Sequence, residues 1–582
     1  MDFVEDVYEP LSRYRNEFRA RHAALVKAKF KELAERSRVD IALNRRLAAE
    51  VGRLEKQAGA AVGRLWLLGL LAFLLLGAAA ICFLVLHADI VPEGDARRGP
   101  FLLGAVGGVV AGVAVGVAWF RLIGRLHDLK RRSLDIQRRA GRLLEPLFAL
   151  FRWELPVKLI EEAVPRLAFD PYFTAKRLED LHGLCGWSDA FNDGKSVLCS
   201  QSGVINGNPF VFADCLVAGW GTQTYHGSLE ISWLEEEEDD EGHTHLVRRY
   251  ETLHATVEKP CPVYSHEKVL IYGNDAAPNL SFTRRPCGLA GKKPGFWASW
   301  GRRRARKRLE AFSRNLDDDS NYTIMANREF ETLFQTTDRD NEVEYRLLFS
   351  ALAQIQMLEL VNDDTDSFGD DFTLQKRRKI NLVRSPRLDE AVLDTDPAQF
   401  RHWSFDKLQE QFQSFNESFF RNIYFALAPL LAIPLYQQTR PHAEIWKGVL
   451  PESPSSFWEH EALANYHGED KFRHPDCVTH SLLKTKVLAR GEDGTRVAVT
   501  AHGYRTEPRV DYVSVWGGDG DLHEVPVEWD EYLPVSRTRE MTITERATPA
   551  EAFQSAFRTA SATAFRRSIS SYLKEAKGRW RE

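Results

Sequence analysis

Two stretches of this chain carry no charged residue at all, Leu65 to Leu86 and Gly99 to Phe120. Wound as helices at 1.5 Å per residue, each reaches roughly 33 Å, enough to cross a hydrocarbon core of about 30 Å. A buried core helix of a soluble protein rarely runs so far without one charge. A leader peptide does not fit the position either, because 64 charge-rich residues precede the first run. The expectation is a hairpin of two membrane-crossing helices, residues 65–86 and 99–120, joined by a short extracytoplasmic loop, residues 87–98.

The flanking charges set the orientation. Arg45, Arg46, Arg53, Lys56 and Arg64 precede the first run, and Arg121, Arg125, Lys130, Arg131 and Arg132 follow the second. Only Arg97 and Arg98 lie between the runs, so the count is ten against two and both ends are expected in the cytosol, with the chain in the inner (cytoplasmic) membrane. Gly104, Gly108, Gly112 and Gly116 recur every four residues, a row of small residues on one helix face where another backbone can approach. The partner is either the first run or another subunit, and a homo-oligomer is the expectation.

Outside the bilayer the helices should continue. Leu122, Leu126, Leu129, Ser133, Ile136, Ala140, Leu143 and Leu147 alternate spacings of four and three, as in a coiled-coil seam. Leu43, Leu47, Val51, Leu54, Ala58 and Ala61 form a matching stripe entering the first run. Residues 1–64 are thus read as cytosolic amphipathic helices and 121–155 as a helical stalk. Leu11, Tyr14, Phe18 and Leu25 add a further amphipathic helix packed near that stalk.

From about Ile160 the period shortens. Leu229, Ile231 and Trp233 alternate with polar residues, and Asn206-Gly207 marks a turn. Residues 156–440 are read as a mixed α/β cytosolic domain. Glu235 to Glu241, seven consecutive acids, is read as a solvated loop between strands. Phe405, Leu408, Phe412, Phe415 and Phe419 make an aromatic helical stripe behind a Ser404 cap, and Ile423 to Tyr436 is too short to span a membrane and is read as buried core. Paired valines at 497 and 499, 513 and 515, and 525 and 527, with the turn Gly517-Gly518-Asp519-Gly520, make residues 441–582 a β-rich domain. It should end in a helix opened by Thr548-Pro549-Ala550-Glu551, with Arg566 and Arg567 among its basic residues. The fold class is α+β.

Ile160 to Tyr172, Ser188-Asp189-Ala190-Phe191, Gly207 to Phe212, Glu329-Phe330 to Phe334, Asp338, and Glu344 to Leu348 resemble a family of bacterial two-span membrane proteins with a cytosolic domain of unknown function, family 3137. The resemblance covers roughly residues 1–385 and implies topology without implying catalytic residues. The chain departs from the pattern at the basic segment near residue 300 and beyond about residue 440.

Three candidate chemistries stand out. Asp193-Gly194-Lys195-Ser196 carries the end of a phosphate-binding loop, but that loop needs glycine where Asp189 stands. His460, His467, His474, Cys477 and His480 supply the donor types a zinc ion prefers, although Ala464 stands where a metalloprotease helix needs its second histidine. Between Arg284 and Arg308 there are ten basic residues and no acid, with aromatics interleaved. Arg284, Arg285, Lys292, Lys293, Trp297, Trp300, Arg302, Arg303 and Arg304 are candidates for anionic lipid at the membrane surface, with nucleic acid the rival.

Seven cysteines without a Cys-x-x-Cys pair indicate reduced thiols. A net charge of −5 confines any polyanion binding to local patches. The expectation is a membrane-anchored scaffold or sensor for a cytosolic protein or ligand, without a cofactor. The alternatives are a metal-dependent hydrolase built on the histidine segment and a membrane-perturbing effector of a bacterial defence system.

Overall fold

The computed structural model describes residues 9–87, 98–238, 244–290, 296–314, 322–439, 453–491, 494–545, 562–567 and 569–573. The chain is mixed α+β and divides into two compact units. A helical unit comprises Val26–Arg152 and Pro397–Asn416, and the larger unit comprises Met1–Leu25, Trp153–Asp396 and Glu417–Glu582.

The helical unit is built on two helices, Ile41–His87 and Arg98–Phe148, of 47 and 51 residues. Both contain a segment long and apolar enough to cross a membrane. They run antiparallel, as the contacts show: Gly104 faces Cys82, Gly108 faces Ala79, Gly112 faces Leu76, and Gln137 donates to Glu55 at 3.2 Å. Below the apolar segments the stripe residues Val51, Ala61, Ser133, Ala140 and Leu147 are buried and most of the others are half-buried, while Leu144 takes the buried position expected of Leu143. Leu43 is the exception, turned outward and 40% exposed. Asn44 takes the inward position, and its side chain donates to the carbonyls of Ala140 (3.1 Å) and Trp403 (3.0 Å) while accepting from the Phe405 amide (2.9 Å). A buried amide is stable only with its donors and acceptor matched in this way. Phe30, Phe151, Phe400 and Phe412 close the unit with ring centroids 5.4 to 6.5 Å apart.

In the larger unit, seven strands form an antiparallel sheet in the order β1-β2-β3-β4-β7-β6-β5, with β1 Leu167–Phe169, β2 Lys195–Ile205, β3 Asn208–Glu238, β4 Thr244–Gly273, β5 Ser281–Arg284, β6 Thr373–Arg377 and β7 Ile380–Arg384. A five-stranded sheet follows in the order β11-β12-β10-β9-β8, with β8 Leu482–Gly491, β9 Gly494–Trp516, β10 Leu522–Glu545, β11 Ala562–Arg566 and β12 Ile569–Leu573.

Two hairpins far outgrow their sheets. β3 and β4 pair continuously from Phe210↔Tyr272 to Glu238↔Thr244, although β2 leaves β3 at Val217. The 21 residues of β3 beyond that point reach about 70 Å at 3.4 Å per residue. β9 and β10 pair from Thr495↔Ile543 to Trp516↔Leu522 and lie on the first hairpin face to face. The contact face is the period-2 one: Tyr225, Leu229 and Ile231 of β3 and Leu253, Ala255 and Val257 of β4 meet Val513, Val515, Val525 and Val527. The intervening Thr224, His226, Ser228 and Glu230 are exposed. The result is a two-layer arm with its own narrow apolar core.

Several expectations are corrected here. The proposed border at residue 440 does not separate two domains, because Trp458 and Ala462 share a core with Val197, Val211 and Ile271, and Tyr172 shares one with Leu463, Val497 and Leu573. Of the acidic run, Glu235 to Glu238 belong to β3 and are not loop. Arg249 from the opposite strand pairs with Glu235 at 2.9 Å and Glu237 at 3.3 Å, which offsets their mutual repulsion; Asp239 to Glu241 lie outside the described residues. The terminal helix is not continued through residues 562–573, where two paired strands stand instead, while Thr548 to Glu551 lie outside the described residues. The first amphipathic segment is helical from Pro10 to Ser37 with a π turn at Tyr14–Phe18. Its Tyr14 stacks on Tyr424 within the larger unit, and only its later part, from Val26, belongs to the helical unit. Ile423 to Tyr436 is buried core as expected.

Candidate functional site

The five metal candidates do not converge. His460 and His467 lie seven residues apart on the helix Phe457–His467. The ring Nε2 of His460 bonds Ser455 at 3.1 Å, and Ser455 in turn donates to Glu545. His467 Nε2 bonds Ser571 at 2.8 Å on β12. His474 accepts from the Asp476 amide, Cys477 is buried beside Thr479 and Ser481, and His480 pairs with Glu469 at 3.1 Å. Among the described residues no three metal-capable side chains gather. Burial pushes both His460 and His467 down to about 4, so these rings are neutral struts between helix and sheet. They do not fit a zinc site, and the hydrolase reading loses its ligand set.

The phosphate-loop fragment is likewise structural. Gly194 holds a left-handed turn at φ 66°, Lys195 lies over the Phe191 ring at 3.7 Å, and Ser196 donates to the Leu483 carbonyl at 3.0 Å.

The basic segment divides. Arg284 is fully buried at the end of β5, paired with Asp370 and stacked over Phe372 at 4.0 Å, so it is a core clamp and not a surface contact. Lys292 and Lys293 lie outside the described residues, as does the side chain of Trp297. Arg285 is exposed; Arg302 donates to the Leu289 carbonyl, leaving it half-buried. On the helix Phe296–Arg314, Trp300, Arg303, Arg304, Arg306, Lys307 and Arg308 face outward, with Arg304 over the Trp300 ring at 5.5 Å. This outward face keeps the chemistry an anionic surface requires.

The glycine row has a definite partner. A methyl group added at Gly108 would press on Ala79 Cβ at 2.8 Å and Leu75 O at 3.1 Å, and one at Gly112 on Leu76 at 2.8 Å. Gly104 faces Cys82 at 3.2 Å, whereas nothing lies within 4 Å of Gly116. Three of the four glycines are therefore used inside the hairpin. The outward faces carry Trp66, Phe73, Leu103 and Phe120, each at least 75% exposed.

A buried ionic knot and the arm were not foreseen from the sequence. Glu459, 1% exposed, accepts from the Phe173 amide and Ser200 at 3.0 Å and faces both Arg566 and Arg567 at 3.7 Å. Asp394 stands 3.8 Å from Arg566, so two acids balance two guanidinium groups where the C-terminal hairpin meets β2. The arm exposes Trp516 opposite Leu522, with Tyr512 and Val510 on the same face. Its five prolines, Pro260, Pro262, Pro508, Pro526 and Pro534, sit at even positions within unbroken pairing. Lacking an N–H, they take ladder positions that point away from the paired strand.

No family model matches the chain, and no curated protein or solved structure is similar to it.

Proposed function

We propose that the chain is a membrane-anchored scaffold or sensor, held by its helical hairpin in the inner membrane with both termini in the cytosol. The observation that carries this reading is the outward display of Trp66, Leu67, Phe73, Leu103, Val110 and Phe120 by two packed helices whose inward face is already satisfied by the glycine contacts. Burying one such side chain is worth about 1.5 to 3 kcal/mol, so this surface calls for an apolar surrounding, and a bilayer matches its length. The charge count of ten against two supports cytosolic termini.

The scaffold half of the reading is supported by the arm, whose paired length adds little to the body's core and turns aromatic residues to solvent. Self-association then uses the outward apolar faces of the two helices, because the glycine row is engaged within the hairpin. The basic helix rests on anionic lipid in this reading.

Thiol labelling tests the anchor. A membrane-impermeant maleimide should modify Glu93→Cys in intact cells and leave Arg45→Cys unmodified until the cells are opened. Equal labelling of both, or recovery of the protein in the carbonate-soluble fraction, overturns the proposal.

A further inference from the structure

Within the helical unit, the segment Arg401–Trp403 lies beside the second long helix and leaves a groove of about 550 Å³. Its walls bring together Arg138, Arg142, Glu145, Arg401, His402 and Trp403. Arg138, Arg142 and Glu145 are spaced four and three residues apart, one face of the helix. The other wall is held in place by Asn44, which bonds Trp403 and Phe405 on one side and Ala140 on the other. A methyl group added at Gly141 would rest against Trp403 Cβ at 3.8 Å, an ordinary contact, so the helix and this segment lie side by side.

The groove is chemically lopsided. Three guanidinium groups face one carboxylate, Glu145, and Arg138 alone of the three has an acid in range, Asp135 at 3.6 Å. Arg142 and Arg401 pair with no carboxylate among the described residues. His402 Nδ1 accepts the Ser404 amide at 2.9 Å, which leaves Nε2 as the proton-bearing donor of the neutral ring. The His402 and Trp403 rings stack at 5.2 Å, offering a flat aromatic surface next to the arginines. Unpaired guanidinium groups prefer phosphate oxygens, an indole face prefers a planar ring, and a carboxylate accepts from sugar hydroxyls. The volume falls within the range of about 300 to 1,000 Å³ typical of small-ligand sites.

We infer that this groove binds a nucleotide. The inference deepens the sensor reading, on which it rests, by naming the ligand class. A lipid phosphate would satisfy the arginines equally well, but Arg138 lies 18 residues past the uncharged run, about 27 Å along the helix, which is beyond the reach of a headgroup layer. The ligand is therefore a soluble one.

Titration calorimetry on the detergent-purified full chain tests this, with ATP as the probe. One ATP per chain should bind at micromolar concentration, and Arg142→Ala, Arg401→Ala and Trp403→Leu should each weaken it at least tenfold. Arg142 and Arg401 are exposed, so an unchanged melting temperature separates lost binding from lost fold. Pyrophosphate should bind at least tenfold more weakly than ATP. The inference is overturned by the absence of binding at millimolar ATP, by affinities unchanged in the arginine variants, by pyrophosphate matching ATP, or by phosphoinositide vesicles that compete through these arginines. Absence of ATP binding to the parent chain alongside correct labelling of Glu93→Cys would sink the nucleotide site and leave the membrane anchor intact.

Discussion

Gly227 on β3 lies against the backbone carbonyl of Pro526 on β10, so close that a side chain cannot be placed between them. The two hairpins of the arm meet there without a side-chain spacer. Nearby, the Gly518 amide donates to the Glu251 carboxylate at 2.6 Å, fixing the turn of one hairpin to the strand of the other.

Replacing Gly227 by Val should therefore pry the layers apart and uncover the valine face of β9 and β10. Hydrogen exchange should accelerate at least tenfold in residues 510–530 while the sheet at residues 195–217 keeps its protection. Unchanged exchange in the arm would show that the close approach is not needed.

The glycine row predicts a graded response. Gly108→Leu must displace Ala79 and Leu75 and should lower the detergent melting temperature by several degrees, whereas Gly116→Leu, with open space around it, should leave it within about one degree. Equal effects would contradict packing between the two helices of one chain.

Glu459→Gln would leave Arg566 and Arg567 with only half-exposed Asp394 as counter-charge. Breaking a buried ion pair from one side typically costs about 3 to 5 kcal/mol. The urea midpoint should fall accordingly, and protease should release the C-terminal hairpin first; a loss of unfolding free energy below about 1 kcal/mol would remove the knot from the structural determinants.

Acid should destabilise the larger unit through its histidines. Burial pushes His22, His460 and His467 down to about 4, so between the ordinary value of 6.5 and about 4 the unfolded chain binds protons that the folded chain refuses. Their contribution is complete above about pH 6.5 and is lost as pH falls towards 4. His467→Gln, which can still bond Ser571, should flatten the fall of the urea midpoint between pH 7 and 5. A slope identical to that of the parent protein would exclude this ring as a source.

The elements readable from the sequence are those set by local periodicity. The two uncharged runs mark the long apolar helices, three glycines of the four-residue row meet the facing helix, and the three-four stripes from Val51 to Ala61 and Ser133 to Leu147 place their buried members on one face. The arm's length was hidden because four consecutive glutamates argue against a strand, and the cross-strand Arg249 that pairs with two of them, Glu235 and Glu237, has no local sequence signature. The capping signal at Thr548 suggested a helix that does not extend through Arg566, whose place is decided by Glu459, 107 residues away. The groove has no local signature at all: Arg142 and Arg401 are 259 residues apart, and what joins them is the hydrogen bonding of Asn44.

Each strand of the arm is one unbroken segment running from sheet to tip. A pull applied at the tip is therefore carried down the covalent backbone, and no ladder hydrogen bond has to break. Sideways load falls instead on the thin apolar layer between the ribbons, which yields more readily than a backbone stretches. The arm is in this sense a strap: nearly inextensible along its length, compliant across it, and suited to passing tension between whatever holds its end and the body at its base.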